Sequence, residues 1–320
     1  MSDNPRQGLI KKQILTESEV TEIERLACIC NSHENLHMRI GWIRLRPQQR
    51  EETNNFLFND FLFYEDGQLA GYLVLDDHGT TARELTGMVH PEHRRRGIFT
   101  ALLAAAKEEC RLRGVRKLIL ICEDSSRSGR AFVAATGAHY DSSEYRMVLE
   151  TFREKKFFDD RLFFRQANES DLEALVTILV DGFDDTVEEV KSSITDSFEE
   201  PYCHFYLATF GEASLGCNEP VACLKLYEMQ DEVGIYGFVV RSAYRGRGYG
   251  RQMLEETIRT IQASSQKQIM LEVDTRNTNA IGLYRSCGFK GTTTYGYYSF
   301  DIEKQGFYNA LVRVNGTNTS

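Results

Sequence analysis

The sequence lacks the cysteine spacings that zinc sites and disulfide frameworks require. Its 320 residues include eight cysteines, of which only Cys28 and Cys30 lie close together, and no Cys-x-x-Cys pair occurs. Zinc sites usually contain such pairs, and disulfide frameworks belong to short, cysteine-dense secreted chains. We therefore expect reduced thiols, no bound metal and a cytoplasmic location.

Two further absences limit the partners. No run of 18 or more apolar residues occurs, so the sequence predicts no membrane-spanning helix. The formal net charge is −9, whereas a nucleic-acid-binding protein usually presents a basic surface. We expect no nucleic-acid partner, no membrane partner, and either a monomer or a homodimer.

The sequence repeats itself at a fixed spacing. Arg94 and Arg245 each begin a basic, glycine-containing hexapeptide, and 245 − 94 gives a spacing of 151 residues. Four further pairs share this spacing: Leu73 and Leu224, Val89 and Val240, Leu118 and Ile269, and Gly137 and Gly288. A chain of this length is expected to form about two domains. We predict two copies of one fold, residues 1–152 and 160–320, joined by a short charged connector.

Local patterns in each copy favour an α/β fold. Apolar strand-like runs flank Asp66-Gly67, a dipeptide typical of tight hairpin turns. Thr16 and Glu19 have the spacing of a capping box at the start of a helix. In the second copy, a strand-like run ends at Val240 and a helix-like run follows, with apolar residues at 254, 258 and 261. Each copy is predicted to start with antiparallel strands and to continue through a helical crossover.

The hexapeptide of the second copy, residues 245–250, connects that strand to that helix and reads Arg-Gly-Arg-Gly-Tyr-Gly. We call it the second loop. The first N–H groups of a helix lack internal partners and carry the positive end of its dipole, and glycines let the backbone approach a ligand closely. This arrangement favours a pyrophosphate site. A P-loop would need GxxxxGK[ST], which is absent, and a dinucleotide motif would need glycine where Arg251 stands.

The second loop fits the pattern [Gln/Arg]-x-x-Gly-x-[Gly/Ala], and a second motif follows at Asn277, Tyr284 and Gly288-Phe289. The two motifs resemble those of the GNAT superfamily of acyl-CoA N-acyltransferases, over nearly the whole chain. The resemblance implies an α/β (α+β) fold of two tandem GNAT domains, each a mixed, mostly antiparallel twisted sheet flanked by helices. The tandem arrangement is most similar to that of mycothiol synthase, in architecture more than in substrate residues.

The resemblance implies acetyl-CoA as the co-substrate. The strand before each loop, the loop itself and one downstream asparagine are expected to hold it. In the second copy these residues are Phe238, Val239, Val240, Arg245, Gly246, Arg247, Gly248, Tyr249, Gly250, Arg251 and Asn277. In the first copy they are Met88, Val89, Arg94, Arg95, Arg96, Gly97, Ile98 and Phe99.

The family likeness also assigns catalytic roles. Tyr284 matches the tyrosine that protonates the leaving thiolate, and packing of its ring in the core is the alternative. Asn277 either bonds the pantetheine chain or caps a helix.

The base that deprotonates the amine is less well defined. Family enzymes often place a glutamate where Gly234 stands here. Glu232 lies two residues away on the same side of the strand and is the predicted base. The alternative is that Glu232 is a solvated turn residue without a catalytic role. Asp231, Glu228 and a water chain are weaker candidates.

The first copy departs from the family pattern. Phe99 stands where glycine or alanine is expected, and Ser126 and Val133 stand at the positions of Asn277 and Tyr284. Valine cannot donate a proton, so we predict reduced or absent catalysis in the first copy. Whether this copy binds CoA stays open.

The predicted function is transfer of an acetyl group from acetyl-CoA to a primary amine of a small molecule, by direct attack, in the second copy. The alternatives are a non-catalytic acyl-CoA-binding regulator and a protein or peptide N-acetyltransferase. The sequence does not identify the amine.

Overall fold

A computed structural model describes residues 5–38, 57–77, 82–155, 162–183, 185–210 and 219–302. The strands are β1 (Gly8–Lys12), β2 (Asp60–Glu65), β3 (Gln68–Asp77), β4 (Ala82–Val89), β5 (Lys117–Glu123), β6 (His139–Leu149), β7 (Phe163–Gln166), β8 (Cys203–Phe210), β9 (Glu219–Glu228), β10 (Glu232–Val240), β11 (Gln268–Asp274) and β12 (Phe289–Asp301). The helices are α1 (Glu17–Glu34), α2 (Ile98–Leu112), α3 (Arg127–Thr136), α4 (Leu172–Gly182), α5 (Val187–Phe198), α6 (Tyr249–Ser264) and α7 (Thr278–Cys287). Most of the predicted connector, residues 156–161, lies outside the described residues, so the domain boundary there stays a prediction.

The twelve strands form one sheet in the order β1-β2-β3-β4-β5-β12-β6-β11-β10-β9-β8-β7. Within the described ranges, β4 with β5 and β10 with β11 are the parallel pairs, and the other neighbours are antiparallel. Each parallel pair is joined by a crossover helix, α2 or α6. The predicted α/β fold with a mostly antiparallel sheet is confirmed.

The last strand of each copy completes the sheet of the other copy. Strand β6 ends the first copy in sequence, yet it lies between β12 and β11, with Met147 opposite Leu271. Strand β12 ends the second copy and lies between β6 and β5, with Tyr297 opposite Ile121. The two copies are therefore joined through exchanged strands in the middle of the sheet.

Helices cover both faces of the sheet. On one face, α6 and α7 pack over β9–β11 and α2 and α3 pack over β3–β5. The opposite face carries α1 over the first copy and α4 with α5 over the second. The apolar stripe predicted for the helix after the second loop is confirmed, because Leu254, Ile258 and Ile261 are all buried in α6. This packing fixes the start of α6 beside the end of β10.

Two local predictions in the first copy are also confirmed. Thr16 and Glu19 form the reciprocal hydrogen bonds of a capping box at the start of α1. Asp66 and Gly67 have φ angles of 50° and 77° and connect β2 to β3, as expected for a tight hairpin turn.

Candidate active site

The sheet splits open between β10 and β11. The two strands pair over four residue pairs, the last of which is Ile235 opposite Leu271. Against β9, strand β10 shifts its register between Tyr236 and Val239, and Gly237 in this bulge has a φ of 54°, which favours glycine. We call the gap beyond Ile235 the second fork. Beyond this point the described residues of the two strands no longer pair with each other.

The second loop lies at the open end of this fork and leads into α6. Gly248 is the N-cap residue of α6, and no side chain of the described residues caps the first turn. Gly246 and Gly248 have φ angles of 78° and 85°, and a Cβ at either position would touch nothing within 4 Å. These glycines therefore serve the backbone conformation. The N–H groups at the start of α6 have the arrangement that an anion site requires, and anion binding there stays a prediction.

Gly250 is different, because its role is close packing. A Cβ at this position would lie 3.3 Å from Val240 Cγ2, 3.4 Å from Leu283 Cδ2 and 3.9 Å from Phe238 Cζ. Phe238 and Val240 lie on the α6 side of β10, whereas Val239 packs under α4. A larger side chain at 250 would enter the second fork.

The three arginines of this region have different surroundings. Arg245 donates from Nε to the Val240 carbonyl at 2.8 Å, and its Nη2 lies 3.8 Å from Oδ2 of Asp181. Arg251 points away from the fork and contacts Glu255 at 2.6 Å. The guanidinium of Arg247 lies 5.6 Å from the ring centre of Tyr244, and it forms no ion pair with the residues that the structure describes. Arg247 is therefore the arginine best able to meet a bound phosphate.

Tyr284 is buried on α7 beside the second fork. Its ring centre lies 6.4 Å from that of Phe238 and 6.1 Å from that of Phe289, and the side chain is 7% exposed. Burial raises the pKa of Tyr284 to about 12. The hydroxyl consequently keeps its proton at neutral pH. The ring packs in the core and also lies beside a fork residue, and the role of Tyr284 as the acid stays a prediction.

Asn277 is the N-cap residue of α7. Its Oδ1 accepts a hydrogen bond from Ala280 N at 3.1 Å, which is the capping alternative of the sequence analysis. The side chain is exposed at the helix start. Its role in binding pantetheine stays a prediction.

Glu232 lies at the closed end of the fork. It forms an ion pair with Arg146, which belongs to β6 of the first copy. Six residues separate Glu232 from Phe238, a distance of about 20 Å along an extended strand. Glu232 and Tyr284 thus lie at different ends of the fork, and the role of Glu232 as the base stays a prediction. Sequence reasoning missed Arg146, because nothing local connects residues that are 86 positions apart.

The first copy has an equivalent fork, between β4 and β5 beyond Leu85, and an acidic side chain lies at its mouth. Glu34 forms an ion pair with Arg94 and accepts hydrogen bonds from Ser126 Oγ at 3.2 Å and Ser128 N at 3.3 Å. Burial opposes the charge on Glu34, but the hydrogen bonds from Ser128 and Arg94 outweigh it and lower its pKa to about 2. The start of α3 and the loop arginine thus already hold an anion, supplied by the chain itself.

Phe99 fills the first fork. It stands at the position equivalent to Gly250, and its ring packs on Phe132 with 4.6 Å between ring centres. A Cβ at Gly87 would lie 2.8 Å from Cε2 of Phe99, so the ring covers the strand position equivalent to Phe238. Val133, at the position of Tyr284, is buried.

The other predicted residues of the first copy lie around this filled fork. Met88, Val89 and Ile98 are buried, Gly97 is the N-cap residue of α2, Arg95 has a φ of 66° and Arg96 pairs with Glu65 at 3.3 Å. Across the described part of the chain, no group of three or more His, Cys, Asp and Glu side chains is placed to hold a metal ion. In the same residues, no helix combines the length and the apolar character needed to span a membrane.

Comparison with known proteins connects this geometry to a family. The model of the acetyltransferase (GNAT) family matches the chain twice, at residues 20–137 and 172–289. A mycothiol acetyltransferase of Kineococcus radiotolerans is 28% identical over 255 residues, which are 74% of this chain and 79% of that protein. A mycothiol acetyltransferase of Thermobispora bispora is 26% identical over 248 residues, covering 71% and 79% of the two chains.

Solved structures show the same fold. A GCN5-related N-acetyltransferase from Sphaerobacter thermophilus superposes with a TM-score of 0.73 at 19% identity, over 94% of this chain and 98% of that one. A tandem GNAT protein from the clavulanic acid biosynthesis pathway has a TM-score of 0.68 at 16% identity, over 93% and 99%. Both copies of the fold are matched. The chain belongs to the GNAT family of acetyl-CoA-dependent N-acetyltransferases, and it carries two GNAT domains in tandem.

Proposed function

We propose that the second fork transfers an acetyl group from acetyl-CoA to a primary amine of a small molecule, by direct attack of the amine on the thioester. One observation carries the proposal. Phe238 on β10 lies next to Gly250 at the start of α6 and also next to the ring of Tyr284. The anion site of the loop and a proton donor therefore border the same fork.

The reaction requires one bond to form and one to break. The neutral amine nitrogen attacks the thioester carbon, the carbon–sulfur bond breaks, and the sulfur takes a proton from Tyr284. The proton that the nitrogen releases as the amide forms returns to Tyr284 through water. We infer that the donor to the carbonyl oxygen is a backbone N–H group of residues 238–240, next to the bulge where β10 shifts its register against β9. Removing a donor of this kind typically costs about 2.7–4 kcal/mol of transition-state stabilisation.

Direct attack is favoured over a covalent enzyme intermediate. Cys287 on α7 and Cys223 on β9 are the cysteines of the surrounding core, and both are fully buried. Burial raises the pKa of both thiols. A buried, protonated thiol is a poor nucleophile, so neither residue is suited to carry the acetyl group.

The first copy is proposed to have a structural role without binding acetyl-CoA. Phe99 occupies the fork, Glu34 binds Arg94 and the start of α3, and Val133 replaces the proton donor. This copy nevertheless contributes to the second site, because its strand β6 pairs with β11.

A small-molecule acceptor is supported by the two relatives that are named mycothiol acetyltransferases. The test incubates the purified chain with acetyl-CoA and single amines, among them glucosamine, spermidine, tyramine and a lysine-containing peptide, and measures release of the CoA thiol. We expect release with at least one small amine, and an acetylated amine in the mass spectrum. Release with the peptide alone would favour a protein acetyltransferase. Binding of acetyl-CoA without release across the panel would favour the regulator.

A further inference from the structure

The face from which the amine approaches follows from the packing of the second fork. Phe238 and Tyr284 lie on the face covered by α6 and α7, where their side chains are part of a packed core. Tyr284 is proposed to protonate the sulfur, so the sulfur lies toward that face. The amine then reaches the thioester carbon from the opposite sheet face, which carries α4 and α5. The proton that the amine loses must be taken up on this opposite face.

Before the bulge of β10, Glu232, Gly234 and Tyr236 point to that face. Val233 and Ile235, which alternate with them, are buried on the α6 side. Glu232 is paired with Arg146 at the closed end of the fork. Gly234 has no side chain, and a Cβ there would lie 2.8 Å from the hydroxyl oxygen of Tyr236. The ring of Tyr236 thus occupies the space above Gly234, and β10 offers no carboxylate near the opening.

Strand β11 supplies the carboxylate that β10 lacks. Leu271 and Val273 are buried on the α6 side, so Glu272 between them faces the acceptor side. The last parallel pair of the two strands is Ile235 opposite Leu271, so Glu272 is the first β11 residue beyond the pairing. In the continued register it would lie opposite Tyr236. Glu272 therefore stands where the fork opens.

Two other carboxylates on this face, Asp274 and Glu144, lie opposite each other and two residues further from the end of the β10–β11 pairing. Asp274 is held by Arg276, with Nη2 at 2.6 Å from Oδ2 and the backbone N–H at 2.7 Å from Oδ1. Glu144 on β6 accepts a hydrogen bond from the hydroxyl of Tyr297 at 2.6 Å. Glu272, which lies opposite Arg146 in the register of β6 and β11, is the carboxylate placed at the opening.

We propose that Glu272 binds the ammonium group of the acceptor and takes the proton that the amine loses, and that Tyr236 forms the neighbouring wall of the acceptor site. This inference rests on the proposed function. The acceptor class is a small primary amine that arrives protonated. One proton passes from the ammonium nitrogen to the Glu272 carboxylate and on to water, and the freed electron pair forms the bond to the acetyl carbon. A second proton leaves the nitrogen as the amide forms and, through water, replaces the proton that Tyr284 gives to the sulfur.

The test compares Glu272→Gln and Glu272→Asp with the wild-type chain, using the amine of the panel that gives the fastest thiol release. Glu272→Gln keeps the size of the side chain and should lower kcat/KM by about 10²–10⁴-fold, as expected for loss of a general base. Glu272→Asp should recover part of that loss. Titration with acetyl-CoA should give the wild-type Kd in both variants, because Glu272 lies on the acceptor side.

The pH profile distinguishes a base from a structural residue. In the wild type, kcat/KM should fall at low pH as the base is protonated, and this limb should disappear in Glu272→Gln. The charged and titratable groups on this face around Glu272 include Glu144 and Arg146 on β6, Lys225 and Tyr227 on β9, Glu232 and Tyr236 on β10, Asp274 on β11, and Tyr295 and Tyr297 on β12.

Glu173→Gln and Glu232→Gln are the control variants for Glu272→Gln. Glu173→Gln, on an exposed side chain of α4, should leave kcat/KM unchanged. Unchanged kcat/KM in Glu272→Gln, or an equal loss and an equal change of pH profile in Glu232→Gln, would overturn the assignment while leaving the proposed function intact. A wild-type chain that releases no thiol with any amine would overturn both.

Discussion

Replacing Tyr284 by phenylalanine removes one hydroxyl from the second fork and little else. The ring contacts with Phe238 and Phe289 remain, so the fold and the affinity for acetyl-CoA should be preserved. General acid catalysis typically contributes about 10²–10⁴-fold to the rate. A thiol has a pKa of about 8.5, so its thiolate leaves with less help than an alkoxide, and the lower end applies. We expect kcat to fall about 10²-fold, which corresponds to about 2.7 kcal/mol.

The assay is thiol release at saturating acetyl-CoA, with the Kd for acetyl-CoA measured by calorimetry. Because the pKa of Tyr284 is raised to about 12, the wild-type hydroxyl is protonated from pH 6 to 9, and the deficit of the variant should be constant over that range. Unchanged kcat would refute the assignment of Tyr284 as the acid. A raised Kd with unchanged kcat would refute it as well, since it would show a role in binding.

The raised pKa also has a consequence for stability. A tyrosine whose pKa is raised in the folded state stabilises the fold fully below its unfolded pKa of about 10, and this contribution is lost as the pH rises toward 12. The unfolding free energy of the wild type should therefore fall more steeply between pH 10 and 12 than that of Tyr284→Phe. Parallel curves in urea titrations at these pH values would contradict the burial of the hydroxyl.

Three substitutions and the two separately expressed halves of the chain test other parts of the account. Glu34→Gln should destabilise the chain at pH 7, because the lowered pKa of Glu34 stabilises the fold above about pH 4.5 by up to about 3 kcal/mol. This stabilisation is lost as the pH falls toward 2. Urea unfolding of both chains at pH 7 and pH 3 measures the difference. Arg247→Ala should weaken acetyl-CoA binding by about 10-fold or more in calorimetry without lowering the Tm. Arg251→Ala should lower the Tm, because it removes one of the two arginines that pair with buried Glu255. The halves 1–152 and 160–320, expressed separately, should show no cooperative melt by circular dichroism, since β6 pairs only with strands of the other half; a half that melts like the full chain would contradict the strand exchange.

Local patterns in the sequence are sufficient to predict much of the fold. The capping box at Thr16, the hairpin at Asp66-Gly67 and the loop before α6 each depend on residues within a few positions of one another. The tandem repeat likewise follows from a constant spacing. Such features are visible because their physical cause is local.

Long-range features could not be predicted in the same way. The alternating pattern of β6 would suit pairing within its own copy equally well, so the exchange with β12 leaves no mark on the pattern. The ion pair of Arg94 with Glu34 joins residues 60 positions apart. The position of the Tyr236 ring over Gly234 depends on the rotamer of the tyrosine, which the sequence does not specify.

The central claim is that the second fork alone binds acetyl-CoA and carries the transfer. Calorimetric titration of acetyl-CoA into the wild-type chain and into Gly250→Phe, which copies the side chain that fills the first fork, tests it most directly. The account predicts one site per chain in the wild type, and no site and no thiol release in the variant. Two sites in the wild type, or wild-type binding in Gly250→Phe, would contradict it.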